Sequence, residues 1–128
     1  MSIEAALDPS GRFVLLTYGD ADPAPGETQE TILRVLSDPK TPADAGLLID
    51  RRSVKETPSA ERVRQLTTAL GRQTELFRGR RVAVVYSGGL ATYGLLRMAQ
   101  TLSAKNPSTL EGFTSMEEAV AWLTSARD

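Results

Sequence analysis

Two short segments hold the side chains best suited to chemistry. Asp50-Arg51-Arg52-Ser53 sets a carboxylate, two guanidinium groups and a hydroxyl side by side. Ser87-Gly88-Gly89 sets a hydroxyl before two glycines. Arginine forks suit carboxylate or phosphate. A Gly-Gly turn that opens a helix leaves backbone N–H groups at the positive end of the helix dipole, where an anion is favoured. Each segment also has a plain structural explanation. The Asp-Arg-Arg run can be a surface salt-bridge cluster of little energetic weight. The Ser-Gly-Gly run can be a tight turn with Ser87 as the helix cap. Tyr93 and Arg97 stand four apart and share a helix face. With Tyr18 they could line a pocket, but a partly buried Tyr with a polar tip is the preferred reading of Tyr93. Gly88, Gly89 and Gly94 have the wrong spacing for a dinucleotide fingerprint. No Lys-Ser/Thr pair follows Gly26, so the Gly19–Gly26 stretch is not a phosphate-binding Walker loop. Arg78, Arg80 and Arg81 read as a solvated basic turn.

The absences narrow the chemistry further. There is no histidine and no cysteine. This removes the Ser-His-Asp triad, thiol nucleophiles, disulfides and most transition-metal sites. No metal and no cofactor is expected. A net charge of −1 argues against nucleic-acid binding. The charge is uneven, with three basic and nine acidic side chains in residues 1–50 against twelve and seven in 51–128. The two halves can interleave in the fold and attract each other, or a basic patch can meet an acidic partner. No stretch reaches the roughly 18 apolar residues of a membrane span. Met1-Ser2-Ile3-Glu4 does not open a secretory signal. The expected setting is cytoplasmic, with no integral membrane contact.

These residues need a scaffold, and the periodicity supplies one. The length of 128 residues fits a single domain, 1–128. Ser2–Leu7 and Arg12–Tyr18 flank Asp8-Pro9-Ser10-Gly11, which suits a type I turn, so the pair reads as a β-hairpin. Phe13-Val14-Leu15-Leu16 suits a strand buried on both faces. A helix over Glu27–Leu36 carries Ile32, Leu33 and Leu36, and Asp38-Pro39 ends it. Gly46–Asp50 is a short buried strand ending in a carboxylate. Thr57 and Pro58 are a good N-cap and first residue for a helix running to about Phe77. Its inner stripe is Val63, Leu66, Leu70 and Phe77, and Gly71 weakens its middle. Val82–Tyr86 is a strand, Leu90–Ala104 a helix with Leu95, Met98, Ala99 and Leu102 inward, and Thr109–Phe113 a weak last strand. Thr114 with Glu117 and Ser115 with Glu118 form overlapping capping boxes for the last helix. Its inward residues are Ala119, Val120, Trp122 and Leu123, with Trp122 expected in the core. The order β-β-α-β-α-β-α-β-α implies an α/β fold with a mixed, mostly parallel sheet, only the first strand antiparallel.

The chain resembles the STAS (SpoIIAA-like, STAS/SEC14) proteins, small bacterial domains related to anti-sigma-factor antagonists. The residues that carry the resemblance are the opening hairpin into Phe13–Leu16, the strand Gly46–Asp50 with its polar loop, Val82–Tyr86, and the closing segment Phe113–Leu123. The resemblance implies a SpoIIAA-like fold and a non-enzymatic regulatory module acting through a protein partner. In the family a serine in an Asp-Ser-Ser-Gly turn after the third strand is phosphorylated. That string is absent here, and Ser53, Thr57 and Ser59 are only approximate substitutes. A response-regulator receiver fits less well: Asp50 and Ser87 match its phosphoacceptor and hydroxyl, but no lysine follows the last strand.

Parallel α/β sheets bind ligands outside the carboxyl ends of their strands. The candidates for a ligand or partner rim are therefore Asp50, Arg51, Arg52, Ser53, Ser87, Gly88, Gly89 and Tyr93. Two further functions are weighed beside the regulatory module. One is a carrier of a small anionic or lipid-like ligand at that rim. The other is an enzyme using Asp50 or Asp20 with bound Mg²⁺. Homo-oligomerisation is open.

Overall fold

The computed structural model describes residues 3–21, 23–24, 26–55, 59–104, 106 and 108–125. Strand β1 (Ile3–Leu7) and strand β2 (Phe13–Tyr18) form the expected hairpin, antiparallel, with Ile3 opposite Tyr18 and Leu7 opposite Val14. The Gly11 N–H donates to the Asp8 carbonyl at 2.8 Å, and Gly11 takes a φ of +72° that closes the turn. Helix α1 (Glu27–Ser37) leads to β3 (Gly46–Asp50). Helix α2 (Ala60–Gly71) and the one-turn α3 (Thr74–Phe77) lead to β4 (Arg81–Val85). Helix α4 (Leu90–Leu102), strand β5 (Thr109–Phe113) and helix α5 (Met116–Thr124) complete the chain. The expected order holds, except that the long middle helix is two helices. It breaks at Gly71-Arg72-Gln73, where Gln73 donates back to the Leu70 carbonyl at 3.0 Å. Poor helix propensity at Gly71 is the local cause.

The strands lie in sequence order, β1-β2-β3-β4-β5, and β2 through β5 are parallel. Right-handed crossovers wound in one direction place their helices on one face of a sheet. Thus α1, α2, α3 and α4 share a face, and α5, which connects no further strand, covers the other. Strand alternation sorts the core accordingly. Val14, Leu16, Tyr18, Leu47, Ile49 and Val82 pack with Ile32, Leu36 and Phe77. Phe13, Leu48, Ala83 and Val85 pack with Ala119 and Leu123 of α5.

Three expectations need correction. The basic turn is not solvated throughout. Arg80 is 3% exposed, and its guanidinium donates to the carbonyls of Leu76 at 2.6 Å, Ala45 at 2.7 Å and Pro42 at 3.3 Å. These carbonyls end a helix and a loop, and a fork of five donors can satisfy several at once. Arg81 lies over the Trp122 ring at 5.5 Å and bonds the Ser125 hydroxyl at 2.7 Å, while Arg78 is exposed and paired with Glu75. Trp122 is half-buried rather than central: it packs against the α5 cluster and the Phe113 ring at 5.7 Å. At α5 the second capping box is the one used, since Ser115 is the N-cap and accepts from the Glu118 N–H at 3.2 Å.

Candidate functional site

The strand-end rim exists, because β2, β3 and β4 are parallel and finish on one side. Its carboxylate is already engaged. Asp50 is 9% exposed, and Arg52 grips it as a fork, Nε to Oδ1 at 2.9 Å and Nη2 to Oδ2 at 3.0 Å. The Arg52 backbone N–H adds a third bond to Oδ1 at 3.1 Å. Burial pushes the Asp50 carboxyl upward, but the Arg52 side-chain bonds, its backbone N–H and its charge together hold it below the ordinary 3.8. Arg51 turns the other way, its guanidinium 5.2 Å from the centre of the Tyr18 ring. Ser53 is exposed on the loop that follows.

The expected opening of α2 at Thr57-Pro58 lies outside the described residues. The N-cap is Ser59, whose hydroxyl accepts from the Arg62 N–H at 3.1 Å. At the other turn Gly88 and Gly89 both take a φ of +99°, and Gly89 is the N-cap of α4. No side chain caps that helix, so Ser87 is exposed and is not the cap. Tyr93 is half-exposed on the outer face of α4, and Arg97 reaches toward Gln100 at 3.5 Å. Neither joins Tyr18 in a pocket.

Tyr18 instead closes one end of a cavity of about 210 Å³ between the sheet and its helices, partly open to solvent. The floor is Leu47 and Ile49 of β3, Val82 and Val84 of β4, and Leu110 of β5. The walls are Val63, Leu66 and Leu70 of α2 and Leu95, Leu96 and Ala99 of α4. These are largely the inner stripes expected to pack as core. In the structure neither α2 nor α4 has a fully buried residue. Helix α2 rests chiefly on α4 and α1 rather than on the sheet, so its apolar face looks across a gap.

The two ends of the cavity differ in chemistry. Tyr18, Arg51 and Tyr86 stand where β2, β3 and β4 finish, with Arg62 from the first turn of α2. Ser103, Asn106 and Ser108 stand at the opposite end, where β5 begins. Of the rim candidates only Arg51 lines the cavity; Asp50, Arg52, Ser53, Ser87, Gly88, Gly89 and Tyr93 lie outside its lining. Arg62 and Tyr86 were not singled out from the sequence, although a signal was there. Arg62 precedes Leu66 by four residues and shares its helix face. Tyr86 continues the two-residue alternation of Val82 and Val84. Among the described residues no three or more acidic side chains gather as a metal site.

No family model matches the chain, and no curated protein matches it. A solved structure does. It is an uncharacterized protein of the DUF3478 family from Shewanella loihica PV-4, described as having a SpoIIAA-like fold. It shares 22% identity and superposes with a TM-score of 0.58, over 94% of this chain and 91% of that one. The fold is SpoIIAA-like. The resemblance read from the hairpin and the closing Phe113–Leu123 segment thus agrees with the architecture. In this version of the SpoIIAA-like fold the sheet has no reversal among its parallel strands, so it has no switch-point crevice. The space for a ligand lies on the sheet face instead. No helix among the described residues is long and apolar enough to cross a membrane.

Proposed function

We propose that the chain is a non-enzymatic cytoplasmic carrier that holds a small, largely apolar ligand between the sheet and helices α2 and α4. The observation that carries this is the cavity itself: its floor and walls are mostly aliphatic, and neither of the two helices that roof it has a fully buried residue. A filling ligand removes apolar surface from water at about 25 cal/mol per Å². The absence of histidine and cysteine from the sequence supports binding over catalysis. Native mass spectrometry of freshly purified protein tests the proposal, with a titration by the neutral probe N-phenyl-1-naphthylamine. A co-purified small mass and saturable probe binding are expected. Ala99→Phe, which projects a ring into the cavity, should abolish both. A bare chain with no saturable binding would remove the carrier reading.

One observation favours a second reading, a module that binds a protein partner. Leu90 is 90% exposed and Tyr93 50% exposed, three residues apart on the outer face of α4. Side chains of this size on one face suit a protein contact. Exposed Ser53 and Ser59 supply hydroxyls for a phosphorylation switch beside Arg51 and Arg52. On this reading Leu90→Asp abolishes partner capture and leaves probe binding unchanged.

A further inference from the structure

We infer that α2 is the moving wall of the cavity. It swings outward at its Ser59 end about a hinge at Gly71–Gln73, and the bond from Arg62 to the Pro23 carbonyl is the latch that holds it closed. The inference rests on the carrier reading and adds how the ligand enters and leaves.

The walls are not held equally. Helix α4 is fixed to the edge strand at two points: Leu96 fills the notch over Gly112, and the Gln100 Nε2 donates to the Leu110 carbonyl at 3.2 Å. The segment after α2 is fixed as well, by the buried Phe77 and by Arg80, which bonds carbonyls from Leu76, Pro42 and Ala45. Helix α2 lies between these anchors with no fully buried residue, resting on α4 and α1 rather than on the sheet. An element with few buried contacts opens at low free-energy cost.

The two ends of α2 set the direction of the swing. Near its last turn Leu70 packs against the core cluster, and a Cβ built on Gly71 would stand 3.1 Å from the Asn106 Oδ1. The helical ladder stops there, at Gly71-Arg72-Gln73, and hinges are residues at element ends that absorb a backbone change. Toward the first turn Val63 and Leu66 face the cavity. The side chains of Glu61, Arg64, Gln65 and Thr67 bond within α2 itself. Among the described residues, the side-chain hydrogen bond that joins α2 to another element is the one from the Arg62 Nη2 to the Pro23 carbonyl in the loop after β2. Breaking it opens the cavity on the side where β2, β3 and β4 finish. A latch of this kind scales entry and exit together, because both need the open form.

Stopped-flow binding of N-phenyl-1-naphthylamine to the full chain tests this. Arg62→Gln should raise both the association and the dissociation rate about tenfold, the scale of one charge-assisted hydrogen bond. Arg62→Lys, which keeps a cationic donor, should fall between. The association rate separates a latch from a ligand contact, since losing a contact quickens release alone. The hinge is tested by a disulfide. The Asn106 Cγ, where a cysteine sulfur would stand, is 3.4 Å from a Cβ built on Gly71, and the chain has no other cysteine to interfere. Gly71→Cys with Asn106→Cys should exchange the probe at the same rates oxidised and reduced, because it ties an end that does not move. Blocked entry in the oxidised form would overturn the hinge and put the opening at that end. An unchanged association rate in Arg62→Gln would overturn the latch and leave the carrier reading standing. No saturable binding by the unaltered chain would overturn both. Should Arg62→Gln fail to fold, Arg62→Lys and the disulfide pair still decide.

Discussion

Leu96 of α4 occupies the space that a side chain at Gly112 of β5 would fill. A Cβ built on Gly112 would stand 2.9 Å from the Leu96 Cγ and closer still to its Cδ2. This notch lets α4 lean on the strand at the edge of the sheet while the cavity opens beside it. Gly112→Ala should therefore force the helix outward and cost about 1–3 kcal/mol by overpacking. Urea unfolding reads the loss. The double variant with Leu96→Ala should recover part of it, and strictly additive costs would show that the two residues do not share the space.

Arg80 should matter more to stability than its place in a basic turn suggests. Replacing it by Met leaves the Leu76, Pro42 and Ala45 carbonyls short of donors in a site that is 3% exposed. The expected cost is about 2–4 kcal/mol, with at most partial recovery in Arg80→Lys, because an ammonium cannot reproduce the planar fork. A chemical-denaturation midpoint unchanged in Arg80→Met would refute this.

The Asp50–Arg52 pair predicts a pH dependence of definite sign. The folded carboxyl titrates below its ordinary 3.8. The contribution is thus complete above about pH 4 and is lost as pH falls through the lower folded value. Asp50→Asn should lower stability at pH 7 by about 1 kcal/mol, since Arg52 is half-exposed and screened. The gap between the variant and the parent should close as pH falls through the lowered folded value. A gap that widens on acidification would reverse the assignment.

Trp122→Ala should cost about 2 kcal/mol, below the usual range for a fully buried Trp, because the ring is only half-buried under Arg81 and beside Phe113. Its native fluorescence should be intermediate in wavelength. Arg81→Ala should shift it to the red, and an unshifted spectrum would separate the guanidinium from the ring in solution.

The sequence by itself determined the order of elements, the hairpin, the single antiparallel strand and the face of each strand. These follow from local signals: Asp8-Pro9-Ser10-Gly11 is a turn in any context, and Val82, Val84 and Tyr86 alternate whatever they pack on. It also placed Asp50 and Arg51 at a strand end. Tertiary structure decided what the inner stripes of α2 and α4 face. Val63, Leu66, Leu95 and Ala99 have the spacing of core residues, and periodicity cannot distinguish a packed neighbour from a gap. That depends on the strands running β1 to β5 without reversal, which crowds every crossover helix onto one face and leaves α2 supported by α4 and α1 rather than by the sheet. Tertiary structure likewise decided that Arg80 is buried and Arg78 is not, because which cation of Arg78-Gly79-Arg80-Arg81 turns inward is set by three carbonyls supplied from residues 42, 45 and 76.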